Sequence, residues 1–235
     1  MPLPNRLLLL SSSRAAGSGF LDPYAGLLRA ALGTGRRGVF LPFAAVTVAW
    51  NDYAAQAEAR FASLGVALAP LHTAADPAAA LAAIDLIVVG GGNSFRLLHE
   101  MQQRDLLAPV RARIAQGATY LGWSAGANLA CPTIRTTNDM PIVAPAGLAA
   151  LGLAPFQINP HYTDAAPPGH MGESRDQRLA ELLALDPAVT VLGLREGSAL
   201  RVEGGAIELV GPHSARLFRA GAAPRELPPG MLDFA

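Results

Sequence analysis

Lysine is missing from this chain of 235 residues: all 18 of its basic residues are arginine. Schiff-base lysines, a P-loop lysine and a Ser-Lys dyad are therefore excluded. A surplus of charge is missing as well, because 18 acidic residues balance the basic ones and the formal net charge is zero. Such a surface offers no field to gather nucleic acid or an anionic membrane. Cysteine occurs once, as Cys131, so no internal disulfide can form and a reducing, cytoplasmic compartment is expected. Long apolar runs are absent too. The uninterrupted run over residues 7–10 falls below the roughly 7–15 residues of a signal-peptide core and reads as a first β-strand. No run approaches the roughly 18 residues of a membrane span. No His/Cys/Asp cluster has metal-ligand spacing, and neither a metal nor another cofactor is expected.

What is present is a globular composition, 51% hydrophobic and 15% charged. A chain of this length can bury roughly 70% of the surface its unfolded form exposes, without a disulfide or metal staple. No linker, repeat or low-complexity tract divides it, so residues 1–235 read as one domain. Apolar runs over 6–10, 38–43, 66–70, 86–89 and 119–122 read as buried strands, with little polar alternation. Helical spacing falls between them over 52–64, 77–84, 94–103 and 107–116. Asp76-Pro77 supplies an N-cap with Pro at the first helical position, and Gly117 a stop. This rhythm predicts an α/β fold with a doubly wound, mainly parallel sheet and right-handed crossovers. The last third differs. A strand over 156–161 and a helix over 173–184 precede short strands over 189–194, 199–202, 206–210 and 215–218, which predict a small antiparallel C-terminal extension.

The most telling stretch is LGWSAGAN, residues 121–128. Ser124 lies between two glycines, after a strand and before a helix, which is the setting that G-x-S-x-G requires as a nucleophile elbow. The turn is tight, and bulky neighbours would collide with strand or helix. Ser124 also opens a helix, where unpaired N–H groups and the helix dipole favour developing negative charge. The amide of Ala125 is thus a ready oxyanion donor. A second strand ends in GGGNSF, residues 90–95. Without lysine or G-x-G-x-x-G spacing it is not a phosphate loop. Its bare backbone can present a further oxyanion N–H, from Gly91 or Gly92.

A serine hydroxyl needs a base held by a third group. Of five histidines, only His161 follows an apparent sheet strand and reaches a carboxyl edge. Two carboxylates compete to orient it: Asp139, in a polar loop after the elbow helix, and Glu196, just past a strand. Sequence order leaves that choice open. Cys131 lies about two helical turns, or ~10 Å, beyond Ser124, cannot share its oxyanion donors and reads as core.

These motifs resemble the peptidase E family, aspartyl dipeptidases on a flavodoxin-like scaffold similar to class I glutamine amidotransferases. The resemblance runs in order through GGGN (90–93), GWSAGAN (122–128), TTNDMPIV (136–143), INPHY (158–162), GESRDQRL (172–179) and LREGS (194–198). It implies Ser124 as nucleophile, His161 as base, and Asp139 or Glu196 as third member. The implied substrate is a small peptide, a dipeptide beginning with Asp and carrying a free amino end. Arg175 is expected to meet the aspartate side chain, because a guanidinium grips a carboxylate through two parallel hydrogen bonds. The carboxylate not holding His161 is expected to meet the substrate ammonium, and Asn93 is also assigned to substrate binding. No nucleic-acid or membrane partner is expected, and the chain is expected to be a monomer or homodimer. The rivals are a cyanophycinase-like peptidase, an esterase of the α/β-hydrolase type and a catalytically silent small-molecule binder on the same fold.

Overall fold

The computed structural model describes residues 6–165, 169 and 171–234. Strands β1 (Arg6–Leu10), β2 (Arg37–Leu41), β3 (Ala67–Pro70), β4 (Leu86–Val89) and β5 (Thr119–Trp123) make up the first half with five α-helices. These are α1 (Ala25–Leu32), α2 (Trp50–Ala62), α3 (Pro77–Ala82), α4 (Ser94–Gln103) and α5 (Leu107–Ala115). After β5 come α6 (Ala125–Leu129), β6 (Gln157–Asn159), α7 (Arg175–Leu185), β7 (Thr190–Gly193), β8 (Ala199–Glu203), β9 (Ala206–Val210), β10 (Ala215–Arg219), β11 (Arg225–Leu227) and β12 (Gly230–Met231). Among the described residues no helix is long and apolar enough to cross a membrane.

The main sheet runs β3-β2-β4-β5-β1-β8-β9-β12. Its first five strands are parallel, and β8, β9 and β12 add an antiparallel edge. Strands β4 and β5 are buried along their whole length, as a sheet covered on both faces requires. The period of two divides them: Leu7, Leu9, Ile87 and Val89 face one apolar layer, while Leu8, Leu10, Leu86 and Val88 face the other. Each such side chain taken fully from water contributes roughly 1.5–3 kcal/mol.

Three sequence expectations change. The stretch read as a buried strand over 66–70 is the sheet's edge strand β3, which alternates exposed and half-buried residues, because nothing pairs with its outer side. Helix α1 was not anticipated. It spans eight residues and buries only Leu28 and Leu32, too few to set a clear period. The C-terminal part is more than an extension of one sheet. Strands β8, β9 and β12 do extend the main sheet, but β6, β7, β10 and β11 form a second, four-stranded one. Within it β6 and β7 are parallel while β10 is antiparallel to its neighbours. The five-residue pairing of β8 with β1 occupies the edge of the main sheet, so β6 and β7 pair elsewhere.

Candidate active site

The elbow is formed by backbone contact. Ser124 takes φ 53°, ψ −116°, a region that side-chain-bearing residues seldom occupy. Its N–H is fixed to Leu10 O at 3.0 Å, at the end of β1. A Cβ on Gly122 would lie 2.5 Å from the Gly126 carbonyl, and one on Gly126 would lie 2.3 Å from Val89 O. Strand β5, helix α6 and strand β4 thus touch where only glycine fits. Helix α6 is brief and ends at Leu129, stabilised less by its length than by the buried Asn128, which donates to Thr136 Oγ1 and Ile158 O. Cys131 lies in the core, as expected; burial pushes its thiol up to about 12, far from the range of a nucleophile.

The predicted base arrives from the second sheet. His161 follows β6 on a turn with φ 53°, and its N–H donates to Ser11 Oγ at 3.0 Å. Ser11 continues β1 and donates in turn to Leu194 O at 2.7 Å, just past β7. One buried hydroxyl therefore joins the ends of a main-sheet strand and two second-sheet strands. The imidazole then lies with Nε2 at 2.9 Å from Ser124 Oγ and Nδ1 at 2.6 Å from Glu196 Oε1. An ionised carboxylate can only accept, so we assign the imidazole proton to Nδ1, leaving the Nε2 lone pair facing the hydroxyl.

Of the two carboxylates left open by the sequence, Glu196 is the one on the ring. Asp139 is held elsewhere: its Oδ2 accepts from Ser94 N at 2.7 Å and from Thr137 Oγ1 at 2.9 Å. It thereby sits at the N-terminus of α4, where unpaired amides and the dipole favour an anion. Asp139 still borders the cavity above Ser124. That space of about 410 Å³ is lined by Ser13, Tyr53, Gly91, Gly92, Trp123, Ser124, Asp139 and His161.

The GGG turn runs directly against Ser124, since a Cβ on Gly91 would come within 3.0 Å of Ser124 Cβ. Its orientation depends on a residue the sequence did not single out. Tyr53 Oη, on α2, donates to Gly91 O at 3.2 Å and accepts from Trp123 Nε1 at 2.9 Å. Burial pushes its hydroxyl up to about 12, so it stays a donor. In a trans peptide the N–H points opposite to the C=O. Anchoring the Gly91 carbonyl therefore directs the Gly92 N–H away from Tyr53. Gly92 adopts φ 140° against Ala44, whose carbonyl oxygen would lie 2.2 Å from an added Cβ. Ala125 begins α6, where the first amides have no intrahelical acceptor.

Arg175 and Asn93 complete the predicted set. Arg175 opens α7 behind a capping box made by Ser174 and Gln177. Its guanidinium donates to Asn138 Oδ1, which also accepts from Asn159 Nδ2. Partial burial holds the Arg175 pKa below its ordinary value, with Arg178 adding repulsion. The group remains a cation, and among the described residues it has no carboxylate partner. It lines a cavity of about 190 Å³ with Asn138, Asn159 and, once more, Asp139. The Asn93 side chain is engaged structurally. It caps α4 through Arg96 N and ties down Met140 O, while the backbone N–H of Asn93 donates to Ala44 O. Ser11, Tyr53 and Asn138 escaped sequence reasoning because their roles arise only from contacts distant in the chain.

Comparison with known proteins agrees with this architecture. The model of peptidase family S51 matches residues 7–210. The chain is 54% identical to peptidase E of Citrobacter koseri over 215 residues, 92% of this chain and 94% of that protein. It is 51% identical to peptidase E of Escherichia coli O6:K15:H31 over the same shares. The crystal structure of a peptidase from an acI-B1 actinobacterium superposes with a TM-score of 0.73 at 18% identity, covering 99% of this chain and 98% of that one. At that identity the likeness concerns the fold. The protein is a peptidase. It belongs to peptidase family S51.

Proposed function

We propose that the protein is a serine-type dipeptidase that cleaves the bond after an N-terminal aspartate. One observation carries the reading: Asp139 borders both the cavity over the Ser124–His161–Glu196 relay and the cavity of the unpaired Arg175. Arg175 grips the substrate β-carboxylate, using guanidinium donors beyond the one given to Asn138. Asp139, whose two side-chain hydrogen bonds both fall on Oδ2, meets the free ammonium. A peptide held so has its first carbonyl over Ser124.

The chemistry follows from proton positions. Ser124 Oγ attacks the carbonyl carbon as His161 Nε2 takes its proton, and Glu196 stabilises the imidazolium formed. The carbonyl oxygen becomes an oxyanion facing the amides of Ala125 and the Gly91–Gly92 turn, each donor worth about 3–4 kcal/mol in such sites. His161 passes its proton to the leaving nitrogen as the C–N bond breaks. Water then gives a proton to His161 and adds to the acyl ester. Aspartate leaves as Ser124 regains its proton.

A fluorophosphonate reagent and three peptides test the proposal. The reagent is expected to label Ser124, and Asp-Leu alone is expected to be cut among Asp-Leu, Leu-Leu and N-acetyl-Asp-Leu. Arg175→Ala is expected to lose the aspartate preference while still labelling. Equal turnover of the three peptides, or an unlabelled serine in a folded sample, rejects the assignment.

A further inference from the structure

The GGG turn has two sides. Tyr53, Gly91 and Gly92 border the nucleophile cavity, and the same three residues border a second space of about 380 Å³. Its remaining wall is mainly aliphatic, with Ala44, Val46 and Val48 from the loop after β2 and Ile142 from the loop that carries Asp139, and Thr47, Gln56 and Asn93 add neutral polar groups. No charged residue lines it among the described residues. Val46, Val48 and Ile142 are 56%, 51% and 51% exposed. Three branched side chains thus keep about half their surface in water beside a reaction site, an arrangement that covering by a ligand relieves.

Three cavities therefore adjoin in order. The Arg175 cavity meets the Ser124 cavity at Asp139, and the Ser124 cavity meets the apolar one at Tyr53, Gly91 and Gly92. A dipeptide has the same order: an aspartate side chain, the reacting carbonyl, then the side chain of the leaving residue. With the first in the arginine cavity and the second over Ser124, the third has the opposite end left to it. We infer that the aliphatic cavity receives the side chain of the leaving residue and sets a preference for Asp-Xaa in which Xaa is apolar. The inference rests on the dipeptidase reading and adds to it the chemistry of the second residue.

Steady-state kinetics with Asp-Leu, Asp-Gly and Asp-Arg test it. The expected kcat/KM for Asp-Leu exceeds those for the other two by about tenfold, the scale of discrimination that a partly enclosed apolar pocket supplies. In Val48→Asp and Ile142→Asp, made singly, the new carboxylate is costly beside leucine and attractive to arginine. The Asp-Leu to Asp-Arg ratio is expected to fall by tenfold or more, with Asp-Arg turnover rising in absolute rate. A gain on one substrate cannot come from misfolding. Equal rates on the three peptides, with ratios unmoved in both variants, overturn the inference while leaving aspartate specificity intact. Failure of every Asp-Xaa peptide overturns both readings together.

Discussion

Asp139 and Glu196 are both carboxylates beside the site, yet their surroundings differ. Glu196 is bonded to an imidazole that a reaction would make cationic. Asp139 is bonded to an amide at a helix start and faces the cavity. Removing the charge of each without changing its shape should separate them. Glu196→Gln is expected to lower kcat by at least a hundredfold with KM little altered, since an orienting carboxylate acts in the transition state. The effect should fall short of a fully buried relay, because the His161 and Glu196 side chains are 40% and 53% exposed. Asp139→Asn is expected to act mainly on KM. Steady-state rates on Asp-Leu check both, and a reversed pattern would exchange their roles. Nothing in the local sequence distinguishes the two carboxylates. The contact from Ser94, 45 positions away, does.

At the level of elements, the parts most legible from sequence are those where backbone meets backbone. GWSAG and GGG stand out because no other residue fits there: side chains at Gly126 and Gly92 would meet carbonyl oxygens at 2.3 and 2.2 Å. Gly126→Ala is accordingly expected to push α6 off β4, destabilising the protein by about 1–3 kcal/mol, as overpacked sites do. It should also slow acylation, because the Ala125 amide moves with the helix. Urea unfolding and fluorophosphonate labelling rates measure the two effects, and an unchanged labelling rate would separate the helix from the chemistry. The least legible elements were short. Strand β6 has three residues, all buried, and such a segment says that it is inside without saying which sheet it joins. The expectation of a strand before His161 was sound, but the sheet to which it belongs depends on partners more than thirty positions later.

Over the whole molecule, the site spans two sheets, and its alignment depends on what ties them. Beside Ser11 there is an ionic web directly next to the relay. Arg195, preceding Glu196, bonds Asp164 at 2.6 Å and Glu226 at 2.8 Å and lies over the ring of Tyr162, which follows His161. Arg216 joins Asp164 and Asp176, and the Tyr162 hydroxyl shares its one proton between those two carboxylates. The paired carboxylates raise the pKa of Arg195 above its ordinary value. These groups are partly solvated, and their contribution to stability is correspondingly small. Arg195→Met is expected to cost about 1 kcal/mol of stability or less, yet to lower kcat about tenfold with KM nearly constant. Such a split marks Arg195 as a positioning residue, and kinetics paired with thermal unfolding provide the check. A matching fall in stability and kcat would reduce the web to scaffolding.

Ser11 gives the seam a further property. A single oxygen, on the strand that also anchors the elbow amide, bears the peptide on which the imidazole turns. Ser124 and His161 are thus hung from neighbouring points of one rail, though they belong to different halves of the architecture. Drift between the halves is expected to reach both side chains alike, so that the 2.9 Å gap between hydroxyl and imidazole keeps its width.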